Sequence, residues 1–290
     1  MSVRNRFISV LAMFVLLLLL AGVGFAKGSG RGVSSVEEMA GKTLGGTASR
    51  MPEGSSKILF ESVLGVKLGA YVPFETVDET LTALRSGRIN AAWFTDVTAD
   101  FLVDANDDLM LLETPKKAED RFSFGLALKN SEKGNALKEK MNEAIAILKE
   151  TGKLDELMEK YGKDTGEDDL MRESDMAVNS SDLYSDKEVI CIGVSGNVPP
   201  FDRVDRDKDA CGFCVEFMDE LAALTGNRVK FLYAKPESVF SLLMSGRIDA
   251  VFAYGSGRNT VDTGKSYVVT DGYAPMNRYE FVTLKQKTGE

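Results

Sequence analysis

The 290-residue chain contains no histidine, which removes the commonest general base and the commonest metal ligand at once. Catalytic triads that depend on histidine and histidine-ligated zinc sites are excluded. Cysteine is nearly as scarce, with only Cys191, Cys211 and Cys214. Three thiols without a histidine cannot complete a four-ligand zinc set, so no metal and no cofactor is expected. At most one disulfide can form among them, and spacing does not fix the pairing. Buried structural cysteine is the plainer reading. The alternative is a redox role for Cys211 and Cys214, since a helix N-terminus at Cys214 would lower its thiol pKa. Basic residues are also short, 35 against 44 acidic, for a net charge of −9. An acidic surface of this kind argues against nucleic acid and anionic lipid as partners.

The amino terminus sets the compartment. Arg4 and Arg6 precede an uncharged stretch over residues 7–25 with five successive leucines at 16–20, and Gly24 and Ala26 place small residues before a cut at Lys27. That is the pattern of a secretory signal peptide over 1–26, with a membrane anchor as the alternative, and it implies a periplasmic or secreted protein. Loss of these 26 residues leaves 264, and loss of Arg4 and Arg6 leaves 33 basic side chains against 44 acidic, a net charge of −11. That length suits two lobes of ordinary size.

What is present in abundance is internal echo. Residues 84–91 read Leu-Arg-Ser-Gly-Arg-Ile-Asn-Ala, and residues 243–250 read Leu-Met-Ser-Gly-Arg-Ile-Asp-Ala. Each stretch closes an apolar helical pattern with a glycine and then opens a run of strand formers, so one helix-to-strand corner is built twice. A second echo pairs residues 121–129 with 278–285, two alternating strands. Two similar α/β lobes leave a cleft between them, where small ligands bind.

The pattern elsewhere predicts strands over 42–45 and 89–94 and a helix from a Thr76/Glu79 capping box through Arg85. Two helices follow over 131–161, broken at Gly152, with apolar residues at three- and four-residue spacings. Residues 162–187 are rich in Asp and Glu without periodicity and read as a solvated linker. Beyond them come strands over 189–194, 229–233 and 248–254, separated by helices over 214–224 and from Pro236 to Gly246, a βαβαβ order that implies a parallel sheet.

These residues resemble a known family. Gly193, Val194, Pro199, Pro200, Phe201, Gly212, Phe213, Glu216, Met218, Glu220, Leu221 and Thr225, then residues 245–250 with Thr270, Asp271 and Tyr273, look like the first lobe of bacterial family 3 solute-binding proteins, the amino-acid receptors of ABC importers. Gly41, Lys42 and Thr43, with the helical tail over 137–161, look like the family's second lobe and its closing helices. The resemblance implies a two-lobed periplasmic-binding-protein-like α/β fold (type II), each lobe a mostly parallel sheet flanked by helices. The lobes stand in the opposite order to the family's, as in a circular permutation. The organisation expected is a signal peptide over 1–26, a second-lobe-like domain over 33–120, a hinge strand and tail helices over 121–161 packed on the other lobe, an acidic linker over 162–187, and a first-lobe-like domain with its hinge strand over 188–290. The strands 121–129 and 278–285 should then lie side by side between the lobes. Two unpaired half-domains swapping between chains are the alternative.

Carried over residue by residue, the resemblance implies recognition of a small zwitterion, with an Arg fork and hydroxyls on the carboxylate and an Asp on the ammonium. The family's Arg position falls on Thr263 or Val261, so the nearby Arg258 is the candidate, with Tyr254, Ser256 and Thr260 in the same loop. Opposite them, Ser49 and Arg50 stand where a helix opens, and Asp96 follows Thr95 at the place of the family's Asp. Phe201 and Trp93 are candidate apolar walls. The implied function is capture of a small polar ligand, an amino acid or a derivative, for delivery to an ABC permease, by a monomer or a domain-swapped dimer and not by an enzyme. The alternatives are a cyclohexadienyl dehydratase-like enzyme, with Asp96 or Glu216 as its acid, and a sensory or scaffold binding module.

Overall fold

The computed structural model describes residues 32–47, 53–113, 122–162, 188–257, 266–276 and 279–286. In chain order, β1 (Thr43–Thr47), α1 (Glu53–Leu64), β2 (Ala70–Phe74), α2 (Val77–Arg85), β3 (Ala91–Thr95), α3 (Asp96–Ala105) and β4 (Leu109–Leu111) form one alternating set. Then come β5 (Phe122–Lys129), α4 (Glu132–Glu150) and α5 (Lys153–Tyr161). The remainder is β6 (Val189–Val194), a small ribbon of β7 (Arg203–Val204) and β8 (Ala210–Cys211), α6 (Phe213–Thr225), β9 (Arg228–Tyr233), α7 (Val239–Ser245), β10 (Ala250–Gly257), β11 (Tyr267–Val269), β12 (Ala274–Met276) and β13 (Tyr279–Leu284).

Local chemistry accounts for the boundaries. Thr76 Oγ1 accepts from Glu79 N at 3.1 Å, and the Glu79 carboxylate accepts from Glu75 N at 3.0 Å, a capping box whose return bond lands one residue early. Gly152 separates α4 from α5 with φ 75°, a left-handed turn that glycine adopts without a side-chain clash. The helix α7 begins at Val239, later than the sequence suggests, because Ser238 and Val239 both donate to Lys235 O and spend the Pro236 region in a turn. The strand β10 runs on to Gly257, with a register shift between Val251 and Tyr254 where Ala253 takes φ 47°. Tyr273 Oη accepts the Ala253 amide at 3.1 Å and pins this bulge.

Two sheets organise the molecule. The first runs β2-β1-β3-β13-β4, with β1 parallel to β2 and β3 and with β13 antiparallel between β3 and β4. The second runs β9-β6-β10-β5-β11, with β6 parallel to β9 and β10 and with β5 antiparallel between β10 and β11. The same order is laid down twice, and in each sheet the strand in fourth place comes from the other half of the chain. The two echoed strands are therefore not neighbours, contrary to the side-by-side expectation. Each fills the equivalent slot in a different sheet.

Each sheet is covered on both faces. In lobe I, built on 32–113, Phe74, Leu81, Leu84, Ile89 and Phe94 pack one face and Leu44, Phe60, Tyr71, Trp93 and Phe281 the other. In lobe II, built on 188–276, Leu137, Met141, Ile145, Leu154 and Leu157 of α4 and α5 pack in one core with Phe213, Phe217 and Leu221 of α6. Lys153 pairs with Glu216 and Glu220, and Lys160 with Glu216, along the same helix contact. The signal-peptide segment and nearly all of the acidic linker lie outside the described residues. Among the described residues, no helix is long and apolar enough to cross a membrane.

Candidate functional site

The lobes meet at the loop that follows β6. There the Asp202 carboxylate, itself buried, accepts from Ser195 N at 3.0 Å, Ser195 Oγ at 2.7 Å and Gly196 N at 3.1 Å, and so folds residues 195–202 back on themselves. Burial pushes this carboxyl above the ordinary carboxylate range, against the pull of those hydrogen bonds. Phe201 anchors the loop from below, in edge contact with Phe124 and Phe213.

The loop's outer edge, so fixed, touches lobe I at two places. Thr98 Oγ1 donates to Pro199 O at 2.8 Å, and Thr98 is held in turn by Thr95, which caps α3. Asn197 Nδ2 donates to Glu75 O at 2.7 Å, while the Glu75 carboxylate takes both its oxygens to Lys235 Nζ at 2.8 Å. Asn197 Oδ1 is buried at this junction with no hydrogen-bond partner among the described residues. Beside these contacts lies an interlobe cavity of about 310 Å³. Phe101, Leu102 and residues 76–78 wall it from lobe I, and Pro199, Val204 and Arg203 from lobe II. Its size falls at the lower end of the range for small-ligand sites.

Of the residues expected from sequence, those whose side chains the structure describes, Trp93, Asp96, Phe201 and Tyr254, do not line this cavity. Trp93 belongs to the core of lobe I, where its Nε1 donates to Tyr71 Oη at 2.8 Å and its ring lies 4.7 Å from Phe60 and 5.3 Å from Tyr279. Phe201 is likewise a core anchor. Tyr254 is half-buried beside Phe240 and hydrogen-bonded to Tyr267 Oη at 2.7 Å. Asp96 is buried in the first turn of α3 and accepts from Val97 N at 3.0 Å, and Thr95 takes the cap position. Ser256 is on β10, its side chain outside the described set, while Ser49, Arg50, Arg258 and Thr260 lie outside the described residues altogether. Glu216, the other acid considered, faces α5: burial alone would raise its pKa, but Lys160 and Tyr161 bring it below the usual range.

The thiols do not fit a redox centre. Burial pushes Cys214 far above its ordinary range and raises Cys211 as well, the reverse of what a helix N-terminus alone would give. Cys214 Sγ instead points at Cys211 O, 3.3 Å away. Among the described residues no group of His, Cys, Asp or Glu is arranged to hold a metal ion. Sequence reasoning missed Arg203 and Phe101, whose side chains meet across the lobes with the guanidinium carbon 5.6 Å from the ring centroid. The two residues come from opposite halves of the chain, and no local signal joins them.

Residues 190–280 match the family description "Bacterial extracellular solute-binding proteins, family 3". No curated protein matches the chain. Among solved structures the chain is similar to the ligand-binding component of an ABC-type import system from Staphylococcus aureus, at 10% identity and a TM-score of 0.40, covering 83% of this chain and 65% of that one. It is similar also to the GluR0 ligand-binding core in complex with L-glutamate, at 10% identity, a TM-score of 0.39 and coverage of 87% and 86%. A third is an ancestral arginine-binding protein bound to arginine, at 14% identity, a TM-score of 0.38 and 87% of each chain.

Proposed function

We propose that this chain, whose residues 190–280 carry the pattern of the family 3 extracellular solute-binding proteins, captures a small polar solute between its two lobes and delivers it to an ABC-type permease. The solute class we favour is an amino acid or a derivative. One observation carries the reading: the loop 195–202 and the starts of α2 and α3 touch across the lobes at the rim of an interlobe cavity. Opposed lobes that meet through a few polar contacts around a cavity can open by a hinge and close on a ligand. The protein acts outside the cytoplasm, after removal of residues 1–26, and as a monomer that binds without turning its solute over. Its lobes are in permuted order relative to the family.

Calorimetry on the chain from Lys27 onward, with amino acids in pools, tests this. Saturable heat without product formation is the expected result. Conversion of a pooled compound, or no binding by any pool, would overturn it.

A further inference from the structure

The cavity has an unusual electrostatic lining for so acidic a protein. Arg203, Arg206 and Lys208 all border it, and none forms an ion pair with any described residue. Lys208 lies over the Tyr233 ring at 5.1 Å, and Arg203, half-buried, lies over Phe101 of the opposite lobe. Two carboxylates share the lining, Asp78 and Asp205. Asp205 is committed to its own turn, its Oδ1 accepting from Asp207 N and Asp209 N at 2.9 Å each.

A guanidinium offers five donors in a planar fork, and withdrawing it from water without acceptors is costly. The Arg203 side chain makes no hydrogen bond to any described residue, yet its guanidinium carbon lies 5.6 Å from the centroid of the Phe101 ring across the lobe boundary. Such a fork matches a carboxylate, which it can bind through two parallel hydrogen bonds. Phe101, Leu102, Pro199 and Val204 provide apolar surface next to it for an uncharged body.

We propose that this cavity is a site for a small organic carboxylate with an apolar body, clamped by Arg203 with Arg206 and Lys208 at the rim. The inference rests on the reading that the lobes close on a solute, and it places the recognition of charge on β7 and the turn after it, away from the loop that holds Arg258. Binding here would join the lobes, because Arg203 comes from lobe II and its platform, Phe101, from lobe I.

The test is calorimetry on the chain from Lys27 onward with benzoate, with benzamide as its neutral isostere, and with the amino-acid pools. Benzoate should bind, and benzamide should bind about tenfold more weakly or worse, as expected for loss of a charge-assisted pair. Arg203→Ala and Arg203→Lys should each weaken benzoate by about tenfold or more, since an ammonium lacks the fork. Arg206→Ala, at an exposed position, should weaken it less, and Arg247→Ala, exposed at the end of α7, should leave it unchanged. Urea unfolding of each variant checks that the fold is kept, and Arg203→Lys serves if Arg203→Ala does not fold. Equal binding of benzoate and benzamide, no binding of benzoate, or benzoate binding unaffected at Arg203 would overturn the proposal. Amino acids that bind the Arg203 variants as well as they bind wild type would also overturn it, while leaving solute capture intact.

Discussion

Glu61, near the end of α1, is a carboxylate with little exposure and several donors. Its oxygens accept from Lys57 Nζ at 2.6 Å, Lys67 Nζ at 2.9 Å and Leu68 N at 2.9 Å, so one side chain ties the helix to the segment that leads into β2. The hydrogen bonds from Lys57 and then Lys67 hold its pKa at about 2, below the ordinary 4.5. A depressed folded-state pKa means that the stabilisation is present above the unfolded value and is lost as pH falls through the folded one. Glu61→Gln should therefore lower the urea midpoint at pH 7, and the gap from wild type should close as pH falls from about 4.5 to about 2. A gap that persists unchanged at pH 2 would show that the charge is not what Glu61 contributes. At this scale the sequence is least informative. Trp93 and Phe201 are candidate ligand walls by sequence although strand aromatics are more often core, and only the partners, Tyr71 and Phe60 for one, Phe124 and Phe213 for the other, place them in the core. Arg203 reads as one more charged residue in an Asp-rich turn until Phe101 is brought beneath it by the fold.

Elements were more legible, because their signals are local. The capping box at Thr76, the glycine break at Gly152 and the echoed corners all appear where the spacing puts them. Both corner glycines, Gly87 and Gly246, have φ near 75°. Of the misplaced boundaries, the start of α7 traces to a local turn on Lys235 O, and the extension of β10 to a non-local cause, the bulge that Tyr273 pins. The glycines also separate two physical demands. A side chain added at Gly246 would meet nothing within 4 Å, so Gly246→Ala pays only for its left-handed backbone, about 1 kcal/mol. Gly46, on β1, is different: an added Cβ would lie 2.1 Å from Trp93 Nε1. That indole is fixed by Tyr71 and packed on Phe60, so it cannot retreat, and Gly46→Ala should cost about 3 kcal/mol through overpacking. Urea denaturation of the two variants checks the order, and equal losses would mean that lobe I yields more readily than its packing implies.

Across the whole molecule, the described elements change lobe twice in chain order, once between β4 and β5 and once between β12 and β13. Its first and last described segments lie together at lobe I, where Val33 N donates to Thr283 Oγ1 at 3.1 Å and Gln286 Nε2 donates to Gly32 O at 3.3 Å. At lobe II, by contrast, α5 ends at Tyr161 and β6 begins at Val189, so the elements on either side of the acidic segment belong to the same lobe. If the order of halves is a permutation, the second junction can be opened and the first closed without moving any element. A rearranged chain can be built to start at residue 188, pass from 286 through a short Gly/Ser link into residue 32, and end at 162. It keeps both crossings, and each sheet still receives its fourth strand. Exchanging a long linker for a short one changes loop-closure entropy only slowly with length, so the rearranged protein should match the parent to within about 2 kcal/mol. The expected result is a monomer with the parent's circular dichroism, a similar urea midpoint and the same solute affinity. A rearranged chain that is unfolded, or folded only as a dimer, would mean that the present order of halves is itself required, and the permutation proposal would fail.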